Sequence, residues 1–171
     1  GFGDAPETVA ETIHMAVARG IAGGSIEDAT GRPDDPLYDI DLAVERVRAA
    51  AKAAEGRFVL TARCDAYMHG RGDLDQVVRR LRAYQDAGAD VLAAPGLPDR
   101  AAVEAVARAL DKKLALFVGL GQWIPTLAEL AEAGVGRASV GSGLARVAWT
   151  AYIDAAREAR EQGTFTRVAA A

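Results

Sequence analysis

Leu60-Thr61-Ala62-Arg63-Cys64-Asp65 is the stretch on which the fold turns. It closes a short apolar run with a guanidinium and a carboxylate. The same design recurs along the chain: Ser25-Ile26-Glu27-Asp28, Ala93-Ala94-Pro95, Val118-Gly119-Leu120-Gly121 and Val140-Gly141-Ser142-Gly143 end the other apolar runs. A helix-like segment precedes each. Alternating helical and strand patterns predict a parallel sheet covered by helices. Parallel sheets collect their chemistry at the carboxyl ends of the strands. Glu27 and Arg63 are therefore expected side by side at one mouth.

Working outward, Pro6 suits a first helical position, because its fixed φ fits there and its missing N–H is not needed. Val9, Ile13, Ala16 and Val17 recur at helical spacing on a buried face. A strand over 21–27 follows, then a helix over 40–54 with Leu42, Val44 and Val47 inward and Glu45, Arg46, Arg48 and Lys52 outward. Further strands are expected over 58–63, 90–94, 114–118 and 137–140. Asp73 and Asp99 can cap the helices reaching 87 and 110. Pro125 opens a short helix to about 134. A last helix spans 142 to about 162, and 163–171 reads as a loose tail. Gly88 and Gly134 stand where an αβ loop needs a helix C-cap.

The segment over 28–39 is rich in turn formers and long for a connection in an α/β unit, where about two to six residues is common. Asp28, Thr30, Arg32 and Asp34 lie on it. A long loop at a strand's carboxyl end is either a lid or a plain excursion.

Five strands and about six helices are too few to close an eight-strand barrel, which takes about 250 residues. The choices are an open doubly wound sheet or a partial (β/α)8 TIM-type barrel whose first three strands are absent. Two features favour the partial barrel. Gly1-Phe2-Gly3 reads as a loop already in progress, and no glycine-rich phosphate fingerprint follows a first strand. Gly119-Leu120-Gly121 lacks the third glycine and reads as a tight turn or a weak anion cradle. The whole of 1–171 is expected to be a single domain.

Composition narrows the function classes. Half of the 171 residues are hydrophobic but only 6% are aromatic, so the core is built from small aliphatic side chains. A net charge of −4 without a basic cluster argues against a nucleic-acid partner. The single cysteine, Cys64, excludes an internal disulfide and a cysteine-based metal site. No apolar run reaches the roughly 20 residues needed to cross a bilayer, and a cytoplasmic location is the expectation.

The chemistry concentrates at two strand ends. Arg63 offers a planar fork that clamps a carboxylate through two bonds. Glu27 is either an ion-pair partner of Arg63 or a hard oxygen donor to a metal. Adjacent strand residues point to opposite faces, so Cys64 is expected behind the sheet as an inert thiol. His69, on the loop over 64–72, could donate a proton near the mouth or stand solvated. Trp123 and Trp149 read as core or subunit contacts.

In order and spacing these motifs resemble the isocitrate lyase and phosphoenolpyruvate mutase superfamily, in its phosphonomutase-like branch. Gly1-Phe2-Gly3-Asp4-Ala5-Pro6-Glu7 is similar to the loop after that family's third strand, and Ser25-Ile26-Glu27-Asp28 to its fourth-strand acidic pair. Leu60-Thr61-Ala62-Arg63 with Asp65 resembles its fifth-strand arginine motif. Ala87-Gly88-Ala89-Asp90-Val91, and Pro125-Thr126-Leu127-Ala128-Glu129-Leu130 with Gly134-Val135, fit its later units. The resemblance implies a modified barrel that swaps its last helix between subunits, binds Mg2+ and acts on small 2-oxo acids through enolate-like intermediates. It implies that Glu27 supports the magnesium through water, that Arg63 holds a substrate carboxylate or phosphonate, that Asp65 orients Arg63, and that 28–39 is a gating loop.

The family's direct magnesium aspartates fall upstream of Gly1. The loop reads Thr30-Gly31-Arg32-Pro33-Asp34-Asp35, without the lyase branch's lysine and cysteine or the mutase branch's lysine and asparagine. A thiol-acid C–C lyase is thereby disfavoured. Two outcomes remain: a magnesium-dependent lyase or phosphonomutase-like enzyme with Arg63, Asp65 and His69 in catalysis and Gly119 and Gly121 at the substrate, or a catalytically silent truncated relative serving as an oligomeric or binding module. A small-anion module at 119–121 is a weaker third. Leu144, Val147, Trp149, Tyr152 and Ile153 give the last helix a broad apolar face, expected to pack in a homo-oligomer.

Overall fold

The structure is a computed structural model that describes residues 2–120 and 123–170. Among these there are seven helices and five strands. In chain order they are α1 (Pro6–Ala18), β1 (Gly23–Glu27), α2 (Ile40–Ala54), β2 (Val59–Arg63), α3 (Leu74–Asp86), β3 (Val91–Ala93), α4 (Arg100–Arg108), β4 (Lys113–Phe117), α5 (Leu127–Glu132), β5 (Val135–Ser139), α6 (Gly143–Gln162) and α7 (Thr166–Ala169). The chain divides into two compact units, Gly1–Ser139 and Val140–Ala171.

The sheet order is β1-β2-β3-β4-β5, every neighbouring pair parallel. A doubly wound sheet reverses direction at a switch point; this one never does. Strictly sequential parallel strands are the pattern of a (β/α) barrel wall. One face carries Ile26, Leu60, Ala62, Leu92, Leu114 and Leu116, all buried with α-helical residues such as Val47, Val77, Leu81, Val103 and Val106. Truncating one of these large aliphatics to Ala costs about 2–5 kcal/mol. The other face carries Ser25, Glu27, Thr61, Arg63, Lys113, Phe117 and Arg137, as the period of two requires.

The helix starts follow capping chemistry. Asp73 accepts from the Gln76 N–H at 2.9 Å and Asp99 from the Ala102 N–H at 2.8 Å, as expected. Asp39 does the same for Asp41 at 3.0 Å. Pro6 opens α1. Pro125, by contrast, precedes α5: Thr126 is the cap, in a reciprocal box with Glu129. Gly88 and Gly134 have φ of +107° and +82°. A Cβ at Gly88 would come within 2.9 Å of the Ala51 methyl, so both the turn and the close packing of α2 demand glycine there.

Two expectations shift. β1 begins at Gly23 rather than 21, leaving Ile21 half-exposed, and β5 begins at Val135 rather than 137. On α2 the buried stripe is Ala43, Val47, Ala50 and Ala54, which turns Leu42 toward the rim and brings Arg46 inward. Arg46 tolerates burial because its guanidinium lies 4.2 Å from the Tyr38 ring centroid and donates to the Gly3 and Asp4 carbonyls at 2.6 and 2.8 Å.

In the second unit, α6 ends at Gly163 in the left-handed region. The expected tail contains α7. Glu158 holds it, accepting from Thr164 Oγ1 and the Thr166 N–H, both at 2.7 Å, and the Arg167 N–H at 2.9 Å. Those bonds lower the Glu158 carboxyl to about 2. No helix among the described residues is long and apolar enough to cross a membrane.

Candidate functional site

β1 and β2 pair in a register that sets Glu27 opposite Arg63. Arg63 Nη2 lies 2.7 Å from Glu27 Oε2. The same guanidinium grips Asp65 in two bonds, Nε to Oδ1 at 2.6 Å and Nη2 to Oδ2 at 2.8 Å. Two residues along one chain end thus fix the fork in a plane, and the Phe117 ring backs it with its centroid 5.6 Å away. The Asp65 side chain is 2% exposed, that of Arg63 18% and that of Glu27 40%, so the trio grades from interior to solvent. Burial alone would depress the Arg63 pKa; hydrogen bonds to Asp65, then the charges of Asp65 and Glu27, outweigh it and the pKa rises.

Asp28 does not belong with its neighbour. It opens the 28–39 segment that the resemblance marks as a gating loop, and its side chain is buried behind the sheet as an anchor. Its Oδ2 accepts from Tyr84 Oη at 2.7 Å and from Arg80 Nη1 at 3.2 Å, and its Oδ1 from the Asp65 N–H at 2.7 Å. The reversal at the strand end explains this: Glu27 turns to the open face, and Asp28 to α3. Arg80 also donates to the Tyr38 carbonyl at 3.0 Å, tying both ends of the 28–39 segment to α3. Burial, then the Asp28 charge, pushes the Tyr84 hydroxyl up. Cys64 is enclosed on that side too, and burial, followed by the Asp28 charge, raises its thiol pKa.

The rest of the 28–39 segment is a narrow excursion closed by an antiparallel bridge between Ala29 and Leu37 and a Thr30 N–H to Pro36 carbonyl bond of 2.9 Å. Arg32, at its tip, pairs with Asp4 at 2.9 Å, and Asp4 accepts from Tyr38 Oη at 2.6 Å. The Tyr38 bond, then the Arg32 bond, lowers the Asp4 pKa. Asp34 is exposed. A polar cleft of about 460 Å³ opens beside Glu27, lined by Ser25, Asp4, Thr30, Tyr38 and Arg46 among others.

His69 is exposed, its N–H bonded to the Asp65 carbonyl at 3.2 Å, which puts its backbone one turn past the arginine motif. Gly119, at φ +88°, lies two residues beyond Phe117 on the same rim. Gly121 lies outside the described residues. Trp123 packs against the core, whereas Trp149 is exposed. Among the described residues no three His, Cys, Asp or Glu side chains converge as a metal cluster. Glu27 provides one accessible carboxylate, which suits a supporting place around a magnesium ion held mainly by other oxygen donors and water.

Sequence reasoning missed Asp4, Arg46, Arg80 and Arg137. Arg46 and Arg80 give no signal as partners, since an arginine at a helical position reads as solvated, and Asp4 lies in a loop far in sequence from Arg32 and Tyr38. Arg137 could have been found from strand parity: it shares a face with Ser139.

Comparison with known proteins accounts for this arrangement. The family model for phosphoenolpyruvate phosphomutase matches residues 1–160. Oxaloacetate decarboxylase of Pseudomonas paraeruginosa is 33% identical over 141 residues, 79% of this chain and 48% of that protein. 2-Methylisocitrate lyase of Escherichia coli is 37% identical over 100 residues, 54% of this chain and 33% of that protein. The chain thus spans about a third to a half of these curated relatives. Among solved structures, a lyase/mutase-like protein of Burkholderia cenocepacia superposes with TM-score 0.96 at 54% identity, over 99% of this chain and 62% of that one. Oxaloacetate acetylhydrolase in complex with the product oxalate gives 0.84 at 28%, over 96% of this chain and 58% of that one. On the extent of the family match and the likeness to these relatives, the chain belongs to the phosphoenolpyruvate phosphomutase family, within the superfamily that includes isocitrate lyase.

Proposed function

We propose that the chain forms part of the active site of a magnesium-dependent lyase or phosphonomutase-like enzyme that acts on a small 2-oxo acid or related carboxylate through an enolate-like intermediate. The observation that carries this is Arg63. Asp65 holds it flat at the strand ends, and its Nη1 edge makes neither the Asp65 nor the Glu27 contact. That edge faces a carboxylate or phosphonate with its geometry already set, so little ordering entropy is lost on binding. A relative gives context: phosphonopyruvate hydrolase has been solved with oxalate and Mg++.

In this reading Glu27 supports the metal through water. The bound metal supplies positive charge for an enolate oxygen. Arg63 binds and orients the substrate anion, and Asp65 fixes the orientation of the Arg63 fork. His69 moves a proton at the mouth. The Gly119 backbone approaches the substrate. The segment after Asp28, with Thr30, Arg32 and Asp34, gates access, hinged at the Asp28 anchor. The same reading takes the protein to be a cytoplasmic homo-oligomer joined through α6, where Leu144, Val147, Trp149 and Tyr152 are exposed; light scattering showing a strict monomer at micromolar concentration rejects that part.

One observation favours the alternative of a catalytically silent module. The Glu27–Arg63 pair is already closed on itself at 2.7 Å. Calorimetric titration with magnesium and oxalate decides between the two. Heat that Arg63→Ala abolishes supports the enzyme; no heat from either component supports the silent module.

A further inference from the structure

We propose that Asp4 is a latch for the 28–39 segment, and that Arg32 switches between Asp4 and Asp35 to close or open the cleft beside Glu27. The inference rests on the gating role proposed above and names the residues that set it.

The cleft is lined by Gly3 and Asp4 from the loop before α1 and by Ala29, Thr30 and Gly31 from the segment after β1. The ion pair between Arg32 and Asp4 joins these two walls. Asp4 is a fixed post, because the buried Arg46 holds its backbone through the Gly3 and Asp4 carbonyls. Its one carboxylate takes the segment at two points. Oδ2 receives the tip through Arg32 Nη1 at 2.9 Å, and Oδ1 receives the base through Tyr38 Oη at 2.6 Å.

The two points are unequal. Tyr38 is buried and lies against the Arg46 guanidinium, so the base stays. The Arg32 and Asp4 side chains are 48% and 59% exposed. An ion pair so open to water is weak and screened by salt. The tip is therefore the part that lets go.

It leaves as a unit. The Ala29–Leu37 bridge, the bond from the Thr30 N–H to the Pro36 carbonyl, and the bond from the Arg32 N–H to Thr30 Oγ1 at 2.9 Å all lie within the segment. Arg32 also carries a second carboxylate with it: Nη2 is 3.4 Å from Asp35 Oδ2. A guanidinium that releases Asp4 keeps a partner, so charge pairing differs little between the two positions. A small gap between two positions lets a modest perturbation shift their populations.

The test reads the segment directly. Nitroxide labels on Glu11→Cys and Asp34→Cys, both exposed sites, report the distance from α1 to the tip, while the enclosed Cys64 stays unlabelled. In this background Asp4→Ala is expected to move the distance distribution to longer values, and Asp35→Asn to sharpen it at the short one. Raised salt should move the parent toward the Asp4→Ala pattern and leave Asp4→Ala itself unchanged. Should Asp4→Ala fail to fold, Arg32→Gln breaks the same pair from the other side, with Arg32→Lys restoring part of it. Distances unaltered by loss of either partner, or Asp35→Asn lengthening them as Asp4→Ala does, overturn the latch.

The gate is read separately, from the association rate of oxalate with magnesium in the unlabelled chain. That rate scales with the open fraction, and Asp4→Ala is expected to raise it about threefold. Distances that lengthen with no change in this rate leave the latch standing and overturn the gating role. Should the chain bind no oxalate, the gating role falls and the label distances alone decide the latch.

Discussion

Two arginine–carboxylate clusters lie back to back across the β1–β2 ladder, and their fates differ. Behind the sheet, Asp28, Arg80 and Tyr84 are sealed under α3, and Asp28 also receives the Asp65 N–H. On the open face, Arg63 shares Asp65 and Glu27, and the cluster shades into solvent at Glu27. Adjacent residues in sequence, Glu27 and Asp28, thereby divide the work. The buried cluster holds the loop base in place. The open one keeps an edge of its guanidinium free. Chemical composition is nearly the same in both; burial decides which is structure and which is site.

The largest effect expected from that contrast is on stability at Asp28. Asp28→Ala strands a buried guanidinium, a tyrosine hydroxyl and a backbone N–H together, and a loss of about 3–5 kcal/mol in denaturant unfolding is expected. A loss under about 1 kcal/mol would show that the rear cluster is not an anchor. Arg63→Ala comes next. It should abolish oxalate binding while destabilising less than Asp28→Ala, because solvent reaches this side. Loss of fold without prior loss of binding reverses the assignment of the two clusters.

Glu27→Gln sharpens the comparison further. Its melting temperature is expected to stay within about 2–4 °C of wild type, since exposed pairs contribute little. The apparent magnesium affinity should fall tenfold or more in the same titration. The smallest effect belongs to the second unit. The Glu158 carboxyl is held down at about 2 against an ordinary 4.5 by its bonds to Thr164, Thr166 and Arg167. A depressed acid stabilises the fold above its unfolded pKa and loses that contribution as pH falls through the folded one. α7 should therefore loosen between about pH 4.5 and 2, read from exchange of the Thr166 and Arg167 amides, while Glu158→Gln removes the pH dependence.

The sheet was legible because its signals are local. Strand ends at Glu27 and Arg63, caps at Asp73 and Asp99 and glycines at 88 and 134 each announce themselves within a few residues. The site was legible only where its parts are neighbours in strand pairing. The buried partners of Asp28 were not legible, because a turn-rich stretch begins beside it and they lie 52 and 56 residues away. Arg46 reads as a surface residue until the Tyr38 ring is brought over it. Such contacts are set by tertiary packing, which no pattern along the chain encodes.

The lone thiol of Cys64 has a use of its own. It has no exposed surface, adjoins Arg63 and faces the rear cluster. A thiol reagent reaches it only when α3 parts from the sheet, so the rate of its alkylation clocks that opening. One unmodified sulfur atom gives the chain a built-in stopwatch for the breathing of its wall, and a ligand that clasps the far side of β2 would slow it.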